Sequence, residues 1–427
     1  MDRSRKMILF AGDISMLYIA GYLTLLIRFG IKQASNEIPT HILPFIIWTI
    51  LLSIIFYIFN LYETTSVKLT FKNLKQFLFA LSTSIVSGIM LFYLFPFSIT
   101  PKTNLLLTQI LFSLFILIWR RFYYNIFSKK FKNQIAFIGK TTPESEILIK
   151  NIIENPHIGY SFIGNFKNFS DLQTSKIKIN TIVYTEKDNS INLEELSKSD
   201  YDYLNITKAF QIILNKIPVS LMDNEIALNI LENKKNIVFN SIKRLTDIIF
   251  SITILIITLP VTIITALLIF IEDRKNIFYK QIRVGYKKKK FNIIKFRSMN
   301  INAEKNGAVW AIEKDPRTTF VGKIIRKLHI DEIPQMINIL KGDISLIGPR
   351  PERPEFVEIL EKEIPFYFLR QTIKPGFTGW AQIKFRYARS VVDSREKFEY
   401  DLYYINNWNL FLDLGILIKT IQIIFSH

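Results

Sequence analysis

The sequence predicts a membrane protein of mixed class, α plus α/β. It should have an N-terminal four-helix transmembrane bundle, a small α/β domain, and a C-terminal α+β domain carrying a re-entrant membrane helix hairpin. Three observations predict this. Four apolar stretches fill the first third of the chain, strand and helix patterns alternate from Gln134 onward, and a fifth apolar stretch with a proline at its centre precedes a polar, basic last third. The expected domains are 1–130, 131–240 and 241–427, with the re-entrant helix at about 245–271.

The apolar stretches are about Ile8–Ile27, Ile42–Phe59, Phe77–Leu94 and Leu105–Trp119. Each approaches the ~20 residues that cross a ~30 Å hydrocarbon core. The first lacks a small-residue cleavage site and is followed by further spans, so it reads as a membrane helix and not a signal peptide. Cations set the orientation. Arg3, Arg5 and Lys6 precede the first span, Lys68, Lys72 and Lys75 separate the second and third, and Arg120, Arg121, Lys129, Lys130 and Lys132 follow the fourth. The opposite loops hold only Arg28 with Lys32, and Lys102, which puts both ends of the bundle in the cytoplasm.

Composition agrees. A chain of 427 residues with 36 phenylalanines and a mean hydropathy of +0.21 is apolar for a soluble protein. The formal charge of +19 accompanies these spans, and so points to lipid headgroups and phosphates as partners, with no nucleic acid. Cysteine is absent, which excludes disulfides, thiolate metal sites and cysteine nucleophiles. The four histidines are scattered, which argues against zinc.

From Gln134 to about Val238 the pattern is strand-like QIAFIG, a helical stretch to Asn155, strand-like YSFIGNF, then INTIVYT. This reads as a doubly wound domain, Rossmann-like but degenerate. Lys140-Thr141-Thr142-Pro143 follows Gly139 where a dinucleotide fingerprint needs more glycine, so a spacer or regulatory role is expected.

The fifth apolar stretch, Ile248–Ile271, has Pro260 in its middle. Proline cannot donate to the carbonyl of Ile256, and its ring crowds the preceding turn, so the helix should bend or break there. The arm Ile248–Leu259 would be about 18 Å long, enough for one leaflet. Lys243 and Arg244 before it, and Arg274, Lys275 and Lys280 after it, place both ends on the cytoplasmic side. Thr258 and Thr262 could satisfy freed backbone groups. Farther on, Tyr286 and Lys287–Lys290 form a cationic cluster at headgroup level, and Trp408–Phe425 suits the membrane interface.

The chemistry concentrates in residues 315–351. Asp331 and Glu332 stand where a helix should begin, because Pro334 is tolerated only in a first turn and Gly342 closes the helix after Lys341. Adjacent carboxylates on a helix diverge by about 100°, so one can hold Mg²⁺ while the other attacks or accepts a phosphoryl group. Arg326 upstream and Arg350 downstream would favour added negative charge. Taken alone, the pair reads better as a helix N-cap with a first-turn acid than as a catalytic pair.

The surrounding blocks decide between these readings. KRLTD, YKQIRVG (Tyr279–Gly285), IKFRSM (Ile294–Met299), DPRTTFVGKIIRKLHIDEIPQ (Asp315–Gln335), GDISLIGPRP (Gly342–Pro351), KPGFTGWAQ (Lys374–Gln382) and YDLYYINNW (Tyr400–Trp408) occur collinearly. From about Ile242 onward this resembles the bacterial sugar transferase family, the polyprenyl-phosphate hexose-1-phosphate transferases, in its long form. The resemblance implies transfer of a sugar-1-phosphate from a UDP-sugar donor to a polyprenyl phosphate acceptor such as undecaprenyl phosphate. The transfer would begin exopolysaccharide, capsule or O-antigen synthesis. It implies Asp331 as nucleophile, Glu332 as the Mg²⁺ ligand, and phosphate contacts from Lys295, Arg297, Arg326 and Arg350. Trp380, Tyr403 and Tyr404 read as core or interface anchors. A homo-oligomer is compatible with the sequence.

The chain departs from the family pattern at Leu259, where serine is frequent, at Lys275-Asn276-Ile277, where a Gly-Pro turn is usual, and at His329, where a small residue is common. Two other readings compete. A membrane-anchored nucleotide-sugar dehydratase needs a glycine fingerprint and a Tyr-x-x-x-Lys pair, and the only such pair, Tyr286 and Lys290, lies in the lysine run. A non-catalytic scaffold for polysaccharide assembly would leave the acids and arginines without a purpose.

Overall fold

Gly30 leaves helical geometry at φ 75°, ψ 167°, so the first long helix, α1 (Arg3–Ile58), is two helices joined at a sharp turn. A positive φ of this kind costs glycine little and other residues much. The computed structural model describes residues 3–59, 61–62, 71–94, 101–130, 133–155, 159–174, 179–185, 201–232, 237–300, 316–385 and 390–425. Lys68, Lys132 and Asp315, which entered the sequence reading, lie outside the described residues. The chain divides into two compact units, Met1–Ala209 and Phe210–His427.

In the first unit, α1 packs with α2 (Phe71–Leu94) and α3 (Pro101–Lys130) around Leu9, Leu17, Trp48, Phe56, Phe77, Phe112 and Ile116. The two halves of α1 correspond to the first two expected spans. Among the described residues three helices are long and apolar enough to cross a membrane: Met7–Tyr57, Asn104–Ile126 and Asn240–Asp273. The apolar part of α2, Phe77–Met90, is shorter. The chain is a membrane protein. Inside the helical bundle Arg120 meets Asp13 at 2.6 Å and donates to the Leu61 carbonyl at 2.8 Å. Charges among apolar helices persist when paired in this way.

The same unit holds a four-stranded parallel sheet: β1 (Asn133–Ile138), β2 (Tyr160–Phe166), β3 (Thr181–Tyr184) and β4 (Asp202–Asn205), in the order β2-β1-β3-β4. Ile135 to Ile138 are buried consecutively, as in a strand covered on both faces. Helices α4 (Pro143–Glu154) and α5 (Phe169–Thr174) supply the crossovers. The first three strands are the ones the sequence predicts; β4 is an addition. Helix α6 (Ile206–Ile213) follows β4.

The second unit comprises α7 (Asn224–Glu232), the long α8 (Ile237–Asp273), an antiparallel hairpin of β5 (Phe278–Val284) and β6 (Lys290–Phe296), then α9 (Phe320–Lys327), α10 (Gln335–Lys341) and β7 (Ser345–Ile347). It continues with α11 (Pro354–Glu363), β8 (Gly376–Thr378) parallel to β7, α12 (Trp380–Lys384), α13 (Val391–Asn407) and α14 (Leu410–Phe425). Ile339, Ile344, Leu346, Leu360, Leu369, Phe398 and Leu402 form its core, and Ile217, Val219, Ala227 and Ile230 are buried with them. Residues 210–232, which the sequence reading assigns to the middle domain, therefore pack here. Trp380 and Tyr404 are core residues, as expected.

Of the bend or break expected at Pro260, the break is not found: α8 is one continuous helix through it. Thr258 and Thr262 do not serve the Ile256 carbonyl either, since their hydroxyls donate to Ile254 O at 2.6 Å and Leu259 O at 2.7 Å. Such local back-bonding is the habit of threonine in helices. Both ends of α8 are held by the same unit. At its start Arg244 donates to the carbonyls of Ile339 and Leu340 (2.6 and 2.7 Å), and Asp247 accepts from Ser345 Oγ and Leu346 N (3.0 Å each). At its end Ile269 packs with Phe296 and Ile325, and Glu272 accepts from Phe320 N at 2.8 Å. Between these anchorages the helix shows solvent a nearly unbroken apolar surface, including Ile256, Ile257, Ile263, Ile264 and Leu267.

Candidate active site

The site is built by a clasp between β6 and α10. Asn338 on α10 accepts from Ile294 N at 2.9 Å and donates to Asn292 O at 2.8 Å, so its amide mimics a strand partner for β6. That clasp sets Lys295 of β6 beside the turn that enters α10. His329 opens the turn in the left-handed conformation (φ 55°), and Ile330–Glu332 form a single 3₁₀ turn. Here the structure corrects the sequence: the acidic pair stands one turn before α10, whose N-cap is Pro334, and not on the α-helix itself. Ile330 anchors the turn by packing against the cluster of Ile269, Phe296 and Ile325.

The two carboxylates have different surroundings. Glu332 Oε1 accepts from Lys295 Nζ at 2.7 Å and from Arg350 Nη2 at 2.6 Å, while its Oε2 has only a 3.5 Å contact with Arg350 Nη1. Burial opposes its charge, but the Arg350 and Lys295 cations prevail and hold it well below the ordinary glutamate range. Asp331, 9% exposed, takes no hydrogen bond among the described residues. Burial, and then the charge of Glu332, push its pKa up, against weaker pulls from Lys295, Arg326 and His329. Lys295 is shifted down by burial, and Arg350 up, mainly by Glu332. The result is one fixed anion clamped between two cations, next to one carboxylate free to react.

Arg350 reaches Glu332 because its loop is built backbone to backbone against a neighbouring strand. Gly348 N donates to Thr378 O and Gly376 N to Pro349 O, both at 2.9 Å. A Cβ on Gly348 would collide with the Lys374 carbonyl, and one on Gly376 would collide with Gly348 N. The glycines of GDISLIGPRP and KPGFTGW are thus two halves of one contact.

Of the other candidates, Arg326, at the end of α9, has a buried Nη1 with no hydrogen-bond partner among the described residues, and it helps to stabilise ionised Asp331. Arg297 is buried and paired with Asp273 at the end of α8. Tyr286 and Lys290 flank an exposed turn in which Lys287 lies over the tyrosine ring. Sequence reasoning missed Asn338, Arg244 and Asp247. It also missed the charged group behind the Arg350 loop, where Glu352 meets Lys397 at 2.8 Å and Arg370 at 3.8 Å. KRLTD contains Arg244 and Asp247, but nothing in its spacing shows what they touch.

No cluster of three His, Asp or Glu side chains able to hold a metal occurs among the described residues. Mg²⁺ ordinarily takes one or two carboxylates and completes its shell with substrate phosphates and water. Glu332, kept ionised with its Oε2 little engaged, and the adjacent Asp331 fit an ion that arrives with a diphosphate.

Residues 238–427 match the family described as bacterial sugar transferase. A UDP-N-acetylgalactosamine-undecaprenyl-phosphate N-acetylgalactosaminephosphotransferase of Aeromonas hydrophila is 47% identical over 189 residues, covering 44% of this chain and 45% of that protein. An uncharacterized sugar transferase, EpsL, of Bacillus subtilis is 38% identical over 185 residues, 42% of this chain and 86% of that protein. A UDP-glucose:undecaprenyl-phosphate glucose-1-phosphate transferase of Klebsiella pneumoniae is 30% identical over 329 residues, 71% of this chain and 69% of that protein. The chain thus spans less than half of the Aeromonas relative but over two thirds of the other two. It belongs to the bacterial sugar transferase family.

Proposed function

We propose that the protein is a phosphotransferase moving a sugar-1-phosphate from a UDP-sugar to undecaprenyl phosphate, or a related polyprenyl phosphate, at the cytoplasmic face of the bacterial inner membrane. The observation that carries this is the unequal dyad: a free Asp331 beside a Glu332 clamped by Lys295 and Arg350. The names of the Aeromonas and Klebsiella relatives, which specify UDP-sugars and undecaprenyl phosphate, support the same donor and acceptor.

In this reading an Asp331 carboxylate oxygen attacks the sugar-bearing phosphorus. The bridging P–O bond breaks, UMP departs with the electron pair, and a phosphosugar–aspartate ester remains. A phosphate oxygen of the polyprenyl phosphate then attacks the same phosphorus. The acyl–phosphate bond breaks, and Asp331 returns to a carboxylate. Each step exchanges one activated phosphate bond for another, so the protein's task is to position anions and offset their repulsion. Arg350 and Lys295 orient the carboxylate of Glu332 and lend positive charge to the approaching diphosphate, and Arg326 favours the ionised form of Asp331. Glu332 would hold Mg²⁺, which would supply Lewis-acid neutralisation of diphosphate charge when bound.

In this reading α8 supports the membrane placement. Thirty-seven residues of straight helix would extend ~55 Å, yet residues 244–247 and 269–273 are both gripped by one basic, polar unit. A full crossing of a ~30 Å core between those anchorages would separate them to opposite sides, so we read α8 as entering and leaving by the same face, curved at Pro260. The four-span bundle and its cytoplasmic ends belong to the same proposal, as do the spacer or regulatory role of the parallel-sheet domain and the role of Arg297 as a phosphate contact. The deciding experiment follows UMP release from a panel headed by UDP-N-acetylgalactosamine and UDP-glucose, with undecaprenyl phosphate in nanodiscs, with and without Mg²⁺. Asp331→Asn should abolish release while the protein stays folded, and turnover by that variant would overturn the covalent route.

A further inference from the structure

Behind the Arg350 loop, three successive carbonyls are each taken by a different donor. Pro349 O accepts from Gly376 N at 2.9 Å, Arg350 O from Arg370 Nη2 at 3.0 Å, and Pro351 O from Arg283 Nη1 at 3.0 Å. Two prolines already restrict the backbone dihedrals of this loop. With its carbonyls held as well, the loop has almost no freedom to swing the Arg350 side chain away from Glu332.

Arg370 is the centre of this arrangement. It is 7% exposed, on the 3₁₀ turn Tyr367–Thr372, and its other nitrogens are committed: Nε to Asp401 at 2.8 Å and Nη1 to the Tyr367 hydroxyl at 2.6 Å. Asp401 comes from the buried face of α13. The rigid fork of the guanidinium joins α13, the 3₁₀ turn and the Arg350 carbonyl in one plane of donors, which a lysine ammonium cannot reproduce. Nearby, Glu352 neutralises the surplus cations, meeting Lys397 at 2.8 Å, Arg370 at 3.8 Å and Arg283 at 3.9 Å.

We propose that Arg370 is a positioning residue for the transfer reaction: by fixing the Arg350 carbonyl it aims the Arg350 side chain at Glu332, and thereby helps to hold the dyad in its unequal state. It touches no substrate. This rests on the functional reading above, and the test separates the two.

UMP release is measured for Arg370→Lys, Arg350→Ala and the double variant. If Arg370 acts through Arg350, Arg370→Lys lowers kcat about tenfold or more with KM for the UDP-sugar moved less than about threefold, and the double variant is no slower than Arg350→Ala alone. Losses that multiply overturn the proposal, because a residue supporting the fold in general would slow both backgrounds alike. Should Arg370→Lys fail to fold, Arg283→Lys, at the neighbouring carbonyl, must show the same non-multiplying pattern. In parallel, hydrogen exchange of the amides in 348–352 should rise in Arg370→Lys and not in Arg350→Ala; unchanged exchange overturns the clamp. A wild-type protein silent with every UDP-sugar defeats the functional reading alone, since the exchange experiment still reads the clamp.

Discussion

Two turns, one in each unit, lead through a proline into a helix and differ in chemistry. The turn after β1 runs from Gly139 (φ 105°) into α4, where Thr142 Oγ1 accepts from Ser145 N at 3.2 Å, Thr142 N donates to Ser145 Oγ at 2.9 Å, and Pro143 has no N–H to offer. Its donors are satisfied by its own hydroxyls. The turn from Arg326 to Pro334 ends with a free Asp331, an orphaned guanidinium nitrogen on Arg326 and a Glu332 held by two cations. A turn that closes on itself supports a fold. A turn left with an unspent carboxylate and an unpaired cationic nitrogen keeps groups that can still meet a charged ligand.

The sharpest way to break this contrast is Asp331→Asn, which should reduce UMP release by about 10³-fold or more, equivalent to about 4 kcal/mol. A comparable loss from Thr142→Ala would show that the first turn also belongs to the chemistry.

Acid comes next, because the first turn is closed by neutral hydroxyls and the site unit by buried ions. Glu352 is lowered from 4.5 to about 2; burial opposes its charge but Lys397 and the neighbouring arginines outweigh it. A depressed carboxylate stabilises the fold fully above its unfolded value and loses that contribution as pH falls through its folded value. The stability gap between wild type and Glu352→Gln, about 3 kcal/mol at neutral pH, should therefore close between pH 4.5 and about 2. Melting of the two proteins in detergent across that range measures it, and a gap constant with pH would remove the ionic account.

Glu332→Gln should weaken the Mg²⁺ dependence of UMP release by about 10–100-fold, read from metal titrations, because the fixed anion beside Asp331 is gone. The smallest effect sharpens the comparison from the other side. Thr142→Ala should cost about 1 kcal/mol through the lost cap, seen as a lower melting temperature, with turnover unchanged.

Much of this molecule was legible from residue order. Apolar runs of membrane length, the strand runs QIAFIG, YSFIGNF and INTIVYT, and the left-handed Gly342 after Lys341 are local signals, and the helices and strands appear where those signals lie. The dyad, Lys295, Arg326 and Arg350 were nameable because they sit in recognisable blocks. Short-range detail was read less well. The helix start at Asp331 became a separate 3₁₀ turn because Pro334 takes the N-cap of α10, and at Pro260, where a bend or break was expected, the helix does not break. Arg297 pairs with Asp273, a partner that no spacing rule would select.

Sequence by itself determined that this protein has membrane helices, a parallel sheet, and an acidic pair among cations, since each of these depends on residues close together in the chain. Only the tertiary structure decided which carboxylate is clamped and which is free. Lys295 and Arg350 reach Glu332 from 37 and 18 positions away, and desolvation at Asp331 depends on everything packed around it. Burial and long-range ion pairing set charge state, and neither is a property of neighbours in sequence.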